Sequence, residues 1–131
     1  MRFVDTSFWI GLSFPRDAHF AEATFLWATN REPLVATNHV VGETWTFLNN
    51  RLWHDVARLF LDLVATERRL TVHRVDEVIE QEAWVWLRRH DERTYSFVDA
   101  TSFAVMWRLG LIYALAFDGD FSAAGFTEVR P

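Results

Sequence analysis

Four acidic residues each sit close to the end of a short apolar run: Asp5 after Phe3-Val4, Glu43 shortly after Leu34-Val35-Ala36, Asp99 at the start of a late apolar helix, and Asp118 after Leu111 to Phe117. An open α/β sheet gathers its active site beyond the carboxyl ends of its strands, so these carboxylates are expected to converge there. Carboxylates brought that close repel and raise each other's pKa unless a cation lies among them. An all-oxygen donor set suits Mg²⁺ or Mn²⁺. Such ions activate water, orient a phosphodiester and stabilise the departing oxygen, which makes phosphodiester hydrolysis the natural chemistry of the set. Taken singly, each acid also has an ordinary role, because an Asp after a strand or in a first helical turn caps the helix or answers its dipole. The functional reading rests on separate elements aiming at one edge.

The elements that must position these residues follow from the apolar pattern. Phe3-Val4 reads as a first strand stopped by Asp5-Thr6-Ser7, and Phe8 to Phe14 as a helical or irregular segment broken at Pro15. Asp17 is placed to cap a helix running to about Thr29, with Phe20, Ala23 and Trp27 on one face. Leu34-Val35-Ala36 is a short strand, Thr37 or Asn38 caps the helix that carries Glu43, and Asn49-Asn50 ends it. Val56, Leu59, Phe60, Leu63 and Val64 have the spacing of a core-facing helical stripe. Leu70 to Val75 alternates as a strand, and Asp76 caps a helix whose inner face is Ile79, Ala83, Trp86 and Leu87. Thr94 to Ser96 opens a helix carrying Asp99, with Val98, Thr101, Ser102, Val105, Met106 and Leu109 on one face and Gly110 as its stop. Leu111 to Phe117 has the continuous apolar character of a central parallel strand, and Thr127 to Val129 adds an edge strand. Alternating strands and helices predict an α/β fold with a central, mostly parallel sheet of four to five strands flanked by helices.

Composition narrows the classes. A chain of 131 residues, half of them hydrophobic, fits one domain with a real core. The longest apolar run, Leu111 to Phe117, is too short to span a bilayer, and the expected protein is soluble, unprocessed and cytoplasmic, with no membrane partner. Without cysteine, any metal must be held by carboxylates or imidazoles. The net charge of −5 argues against a nucleic-acid partner until the four acids are set aside; 14 acids then face 13 bases, all arginine. Arg16, Arg51 and Arg93 are candidates for holding a phosphate backbone.

The same residues resemble a known family. Phe3-Val4-Asp5-Thr6-Ser7, Val41-Gly42-Glu43-Thr44, Phe97-Val98-Asp99-Ala100-Thr101-Ser102 and Ala116-Phe117-Asp118-Gly119-Asp120-Phe121, in this order and with the Ala124-Gly125-Phe126 tail, resemble PIN-domain ribonucleases, particularly the VapC toxins of prokaryotic toxin–antitoxin modules. The resemblance covers the whole chain and implies a PIN-like fold, with residues 1–131 forming a single minimal PIN domain. It further implies a Mg²⁺- or Mn²⁺-dependent endoribonuclease that hydrolyses RNA by metal-activated water and is inhibited by a cognate antitoxin. Asp5, Glu43, Asp99 and Asp118 are then the catalytic acids and metal ligands, with Thr6 or Ser7 supporting them by hydrogen bonds. Asp120 is an alternative to Asp118, a turn cap, or a ligand of a second metal.

Two other motifs fail on architecture: Asp5-Thr6-Ser7 matches the aspartic-protease triplet but lies in an α/β chain, and Asp118-Gly119-Asp120 echoes a phosphatase nucleophile motif that begins its fold, whereas here nothing after it could build that domain. His19, His39, His54, His73 and His90 form no ligand pair on one helical face and read as surface or cap residues. Trp84 and Trp86 lie two apart on one helix, so at least one is expected outside the core, suiting an antitoxin helix or a homodimer contact. Rival functions are a catalytically weak PIN-like protein that acts by partner binding, and a PIN nuclease of RNA maturation or DNA cleavage.

Overall fold

The computed structural model describes residues Met1–Pro131. In chain order the elements are β1 (Arg2–Val4), α1 (Thr6–Ser13), α2 (Phe20–Thr29), β2 (Leu34–Thr37), α3 (Asn38–Arg51), α4 (His54–Thr66), β3 (Leu70–His73), α5 (Glu77–Arg89), α6 (Phe97–Leu109), β4 (Tyr113–Leu115), α7 (Asp120–Ala123) and β5 (Thr127–Glu128). The five strands form one sheet in the order β3-β2-β1-β4-β5, every neighbouring pair parallel. Parallel neighbours need crossover connections, and the helices supply them, pairing α1 with α2, α3 with α4 and α5 with α6. From β1 the chain builds outward to β2 and β3, then returns to place β4 on the other side of β1. The reversal opens a crevice between the carboxyl ends of β1 and β4, the place where open α/β sheets bind ligands.

The core is aromatic. Phe3, Phe8, Trp9, Phe60, Phe103 and Phe121 are almost fully buried, and Phe103 meets Phe121, Trp86 and Tyr95 edge-on with ring centroids 4.9, 5.2 and 5.8 Å away. Edge-to-face pairs of this kind add a directional term to burial. As expected, Trp86 packs against the core while Trp84 is 46 % exposed.

Several local expectations change in the folded chain. Asp17 does not cap α2; its Oδ1 accepts the His19 N–H at 2.8 Å in a tight turn, and the helix begins only at Phe20 without a side-chain cap. Thr37, not Asn38, caps α3, because the Asn38 carboxamide accepts the Val75 N–H at 2.7 Å and so pins the chain just past β3. Asp76 caps α5 as expected. Helix α6 is buried all round from Asp99 to Met106 rather than on one face, since it packs against α3, α5 and α7. Of the apolar run Leu111 to Phe117 only Tyr113–Leu115 is strand. Leu111 is used at its start to close α6, donating to the Met106 carbonyl behind the left-handed Gly110. At the other end, side chains replace the ladder: the Arg130 guanidinium donates to the Ala116 carbonyl and the Phe117 N–H donates to Ser7 Oγ.

On α4 the expected stripe holds at Phe60, with Val56, Leu63 and Val64 packed against the core, and fails at Leu59. Ala57 and Phe60 are buried while Leu59 is 67 % exposed, because α4 meets the core through Phe60, whose ring lies edge-on to Trp9 at 5.4 Å. Phe60→Ala is therefore expected to cost about 3–5 kcal/mol, whereas Leu59→Ala should stay within about 0.5 kcal/mol. Urea denaturation of the two variants checks this; equal losses would restore Leu59 to the core.

Candidate metal centre

Asp5 follows β1 directly and is the N-cap of α1. Its Oδ2 accepts the Ser7 N–H at 3.1 Å and the Ser7 hydroxyl at 2.7 Å, and Ser7 Oγ in turn accepts the Phe117 N–H at 2.9 Å. One serine thereby ties the end of β1 to the segment leaving β4. Asp99 lies at the third position of α6 in a capping box: Ser96 Oγ accepts the Asp99 N–H at 2.9 Å, and Asp99 Oδ2 accepts the Ser96 N–H at 3.0 Å. Asp118 begins the turn after β4, where Gly119 takes φ 82°, a conformation that favours glycine. Its Oδ1 accepts the Asp120 N–H at 3.0 Å.

Three of the sequence candidates meet. Asp5, Asp99 and Asp118 each offer a carboxylate oxygen within 4.8 Å of the other two, with Asp5 and Asp99 buried and Asp118 open to solvent. Glu43 is not one of this trio; it sits half-buried on α3 in a groove shared with His39, Thr46, Arg51 and Val98, the last adjacent in sequence to Asp99. Asp120 is also outside the trio and pairs with Arg93, Nε to Oδ1 at 2.8 Å. The same guanidinium donates to the Asp118 carbonyl at 3.3 Å. No histidine joins a cluster of potential ligands.

Glu128 is a site-supporting residue that motif reading passes over. It is 9 % exposed on β5, and its carboxylate accepts the N–H groups of Gly119 and Ser122 at 3.3 and 3.0 Å while pairing with Arg130 at 3.0 Å. The turn bearing Asp118 is thus held from one side by Arg93 and from the other by Glu128. The available signal was alternation, since a strand from Thr127 to Val129 turns the middle residue to the opposite face from its neighbours.

The trio is electrostatically costly. Burial holds the Asp5 carboxyl well above the usual carboxylate range, and the Asp118 charge raises it further against the opposing Ser7 hydrogen bonds. Burial likewise pushes Asp99 up to about 6, with the Ser96 N–H opposing and the charges of Asp118 and Asp120 adding to the rise. Asp118 is also raised, first by desolvation among its neighbours and then by Asp120 and Glu128, while the Asp120 N–H works the other way. Two oxygens bound to one Mg²⁺ at about 2.1 Å lie no more than about 4.2 Å apart, so the trio needs only a small contraction to take one divalent ion. The donors fit a hard cation.

An acid with a raised pKa keeps its proton in the folded chain after the unfolded chain has lost it, so stability falls as pH rises from the unfolded pKa through the folded one. For Asp99 that window runs from about pH 4 to just above its pKa of about 6. Without divalent ions, wild type is expected to lose on the order of 1–3 kcal/mol relative to Asp99→Asn as pH rises across this window. Saturating Mn²⁺ should then raise the wild-type melting temperature more than that of the variant. Thermal melts at several pH values check both, and a difference that does not vary with pH would contradict the assignment.

Comparison with known proteins agrees with this architecture. The PIN domain family model matches residues 2–127. The chain is 55 % identical over 134 aligned residues to a Mycobacterium tuberculosis protein named 23S rRNA-specific endonuclease VapC20, in strains CDC 1551 and H37Rv, covering 100 % of this chain and 99 % of the relative. The crystal structure of M. tuberculosis VapC20, described as a sarcin–ricin loop cleaving toxin, superposes with a TM-score of 0.95 at 51 % identity over the full length of both chains. FitAcB from Neisseria gonorrhoeae shares the fold, with a TM-score of 0.66 at 14 % identity, covering 98 % of this chain and 96 % of that one. With a parallel sheet that reverses beside β1, three aspartates at its carboxyl edge and a family match over nearly every residue, the chain belongs to the PIN-domain family.

Proposed function

We propose that the protein is the endoribonuclease toxin of a toxin–antitoxin pair and that it cuts 23S rRNA at the sarcin–ricin loop. The substrate is inferred from the full-length similarity to VapC20, and the observation that carries the chemistry is the Asp5-Asp99-Asp118 trio. These three residues would hold one Mg²⁺ or Mn²⁺. When bound, the ion supplies positive charge against the phosphodiester and activates water for hydrolysis.

The chain's own residues do the positioning. Ser7 fixes Oδ2 of Asp5 through both its N–H and its hydroxyl. The capping box does the same for Asp99, engaging Oδ2 and leaving Oδ1 without a partner in the chain. Arg93 and Glu128 keep the Asp118 turn in register, and Arg93 also compensates Asp120, so that this acid adds less repulsion to the trio. Glu43, across the α3 groove, is assigned to a second ion or to the substrate. Asp120 is assigned to the turn, as a partner of Arg93, with a second ion as its alternative role. Arg51, in the same groove as Glu43, is placed to meet a phosphate.

The remaining parts of this reading are residues 1–131 as a single PIN domain, a cytoplasmic location, a protein antitoxin and a homodimer. No helix is long and apolar enough to cross a membrane. Trp84 and Trp107 are each about half exposed on α5 and α6 and supply apolar area for a protein partner.

The test is cleavage of a synthetic RNA containing the sarcin–ricin loop. With Mn²⁺ the wild-type protein is expected to cut it at one position, EDTA to abolish cleavage, and Asp5→Asn to slow it by roughly a hundredfold or more. Glu43→Gln should also slow cleavage while leaving the affinity of the trio for its first Mn²⁺ within about threefold, as measured by calorimetry. Undiminished cleavage in excess EDTA, or by Asp5→Asn, would refute the mechanism.

A further inference from the structure

Ser7 and Asp118 border a second, separate cavity of about 240 Å³, completed by Ile10, Asp17, His19 and Phe117. A ladder of rings leads out to it. Phe8 is fully buried, Phe117 stacks on Phe8 at 5.6 Å and 19°, and His19 stacks on Phe117 at 4.4 Å and 2°. The last ring is the open one, its side chain 43 % exposed. No hydrogen bond accounts for a histidine there: Nδ1 is buried without a hydrogen-bond partner, and the Glu22 carboxylate stands 3.8 Å away. The ring is placed by its stack and by the turn in which Asp17 Oδ1 accepts the His19 N–H. Gly11 of α1 lies flush beneath, since a Cβ there would stand 3.4 Å from the Phe117 ring and 3.5 Å from His19 Cβ.

We propose that this cavity is a subsite for one unpaired base of the RNA substrate, stacked on the His19 imidazole as the next layer of the ladder, on a nucleotide that flanks the cleaved phosphodiester. The inference rests on the ribonuclease reading given above. Unpaired RNA bases are read by splaying them onto aromatic side chains, and a flat ring extends a parallel stack without needing a particular hydrogen-bond pattern. The lining disfavours the backbone as occupant, because Asp17, an acid outside the metal-binding trio, would repel a phosphate, whereas a base is uncharged. Asp17 Oδ2, which makes no hydrogen bond in the chain, is an acceptor for a base N–H. Asp118 belongs to both the cavity and the carboxylate trio, which places the base within one nucleotide of the reacting phosphate.

The test uses the full chain, Mn²⁺ and sarcin–ricin loop RNA carrying single abasic replacements on either side of the cut. His19→Ala is expected to raise KM on the order of tenfold, with a smaller change in kcat and unchanged calorimetric Mn²⁺ binding, and His19→Phe to restore KM. One abasic position should slow the wild type and add nothing to the defect of His19→Ala. An unchanged KM in His19→Ala, or abasic penalties equal in the two proteins, overturns the subsite while leaving the nuclease reading intact. Loss of antitoxin affinity in His19→Ala with unchanged KM overturns it in favour of a protein-binding surface. Failure of the wild type to cut the RNA at all overturns the nuclease reading and the subsite together.

Discussion

The gathering of three carboxylates at one partly buried edge, costly through desolvation first and mutual repulsion second, is the constraint around which the rest of the protein is arranged. Asp5, Asp99 and Asp118 come from three different elements, and their oxygens meet beyond the carboxyl ends of β1 and β4. Two are buried, and burial is the largest reason that all three hold protons more tightly than free carboxylates do. A site of this kind is a liability to the empty protein and a strength once a cation arrives, because the same proximity that raises the pKa values supplies the ligand field. Stability and function pull in opposite directions at these residues, as they commonly do at active sites.

What keeps the trio together is a set of short, directed contacts rather than apolar packing alone. Each aspartate has one oxygen engaged by a local N–H: that of Ser7, of Ser96 and of Asp120 respectively. These bonds orient the carboxylates and partly offset the cost of charging them. The turn carrying Asp118 is the least supported by regular structure, and ion pairs brace it from both sides, Arg93 with Asp120 and Arg130 with Glu128. Ser7 links the ends of the two strands on either side of the crevice, so the shortness of β4 is part of the site: the chain leaves the ladder where Ser7 and Arg130 take over its hydrogen bonds. The ring ladder from Phe8 through Phe117 to His19 then carries the core out to the cavity beside Asp118.

Most of the architecture was legible because strand and helix periodicities differ and because Asp76, Ser96 and Gly110 mark helix ends with distinct chemistry. Asp5, Asp99 and Asp118 were legible as a group for the same reason, since a parallel sheet aligns strand ends whatever their separation in the chain. The misplaced features share a cause: each was settled by contacts distant in sequence. Asn38 was drawn away from capping α3 by the Val75 N–H, and Leu59 was left outside the α4 stripe, which meets the core through Phe60 against Trp9. Glu128 escaped notice because its role depends on the loop between β4 and α7 folding back over it. Glu43 was expected beside the other acids, but its helix places it in the groove with His39 and Arg51, a choice that helical spacing alone does not resolve.

Calorimetric titration of Mn²⁺ in buffers of different ionisation enthalpy addresses the central claim most directly, because it counts protons as well as ions. If burial and mutual repulsion hold excess protons on the trio, binding Mn²⁺ near pH 6 should release protons, and the Asp99 share of that release should fade as pH rises well above its pKa of about 6. Absence of Mn²⁺ binding, or binding near pH 6 without proton release, would contradict it.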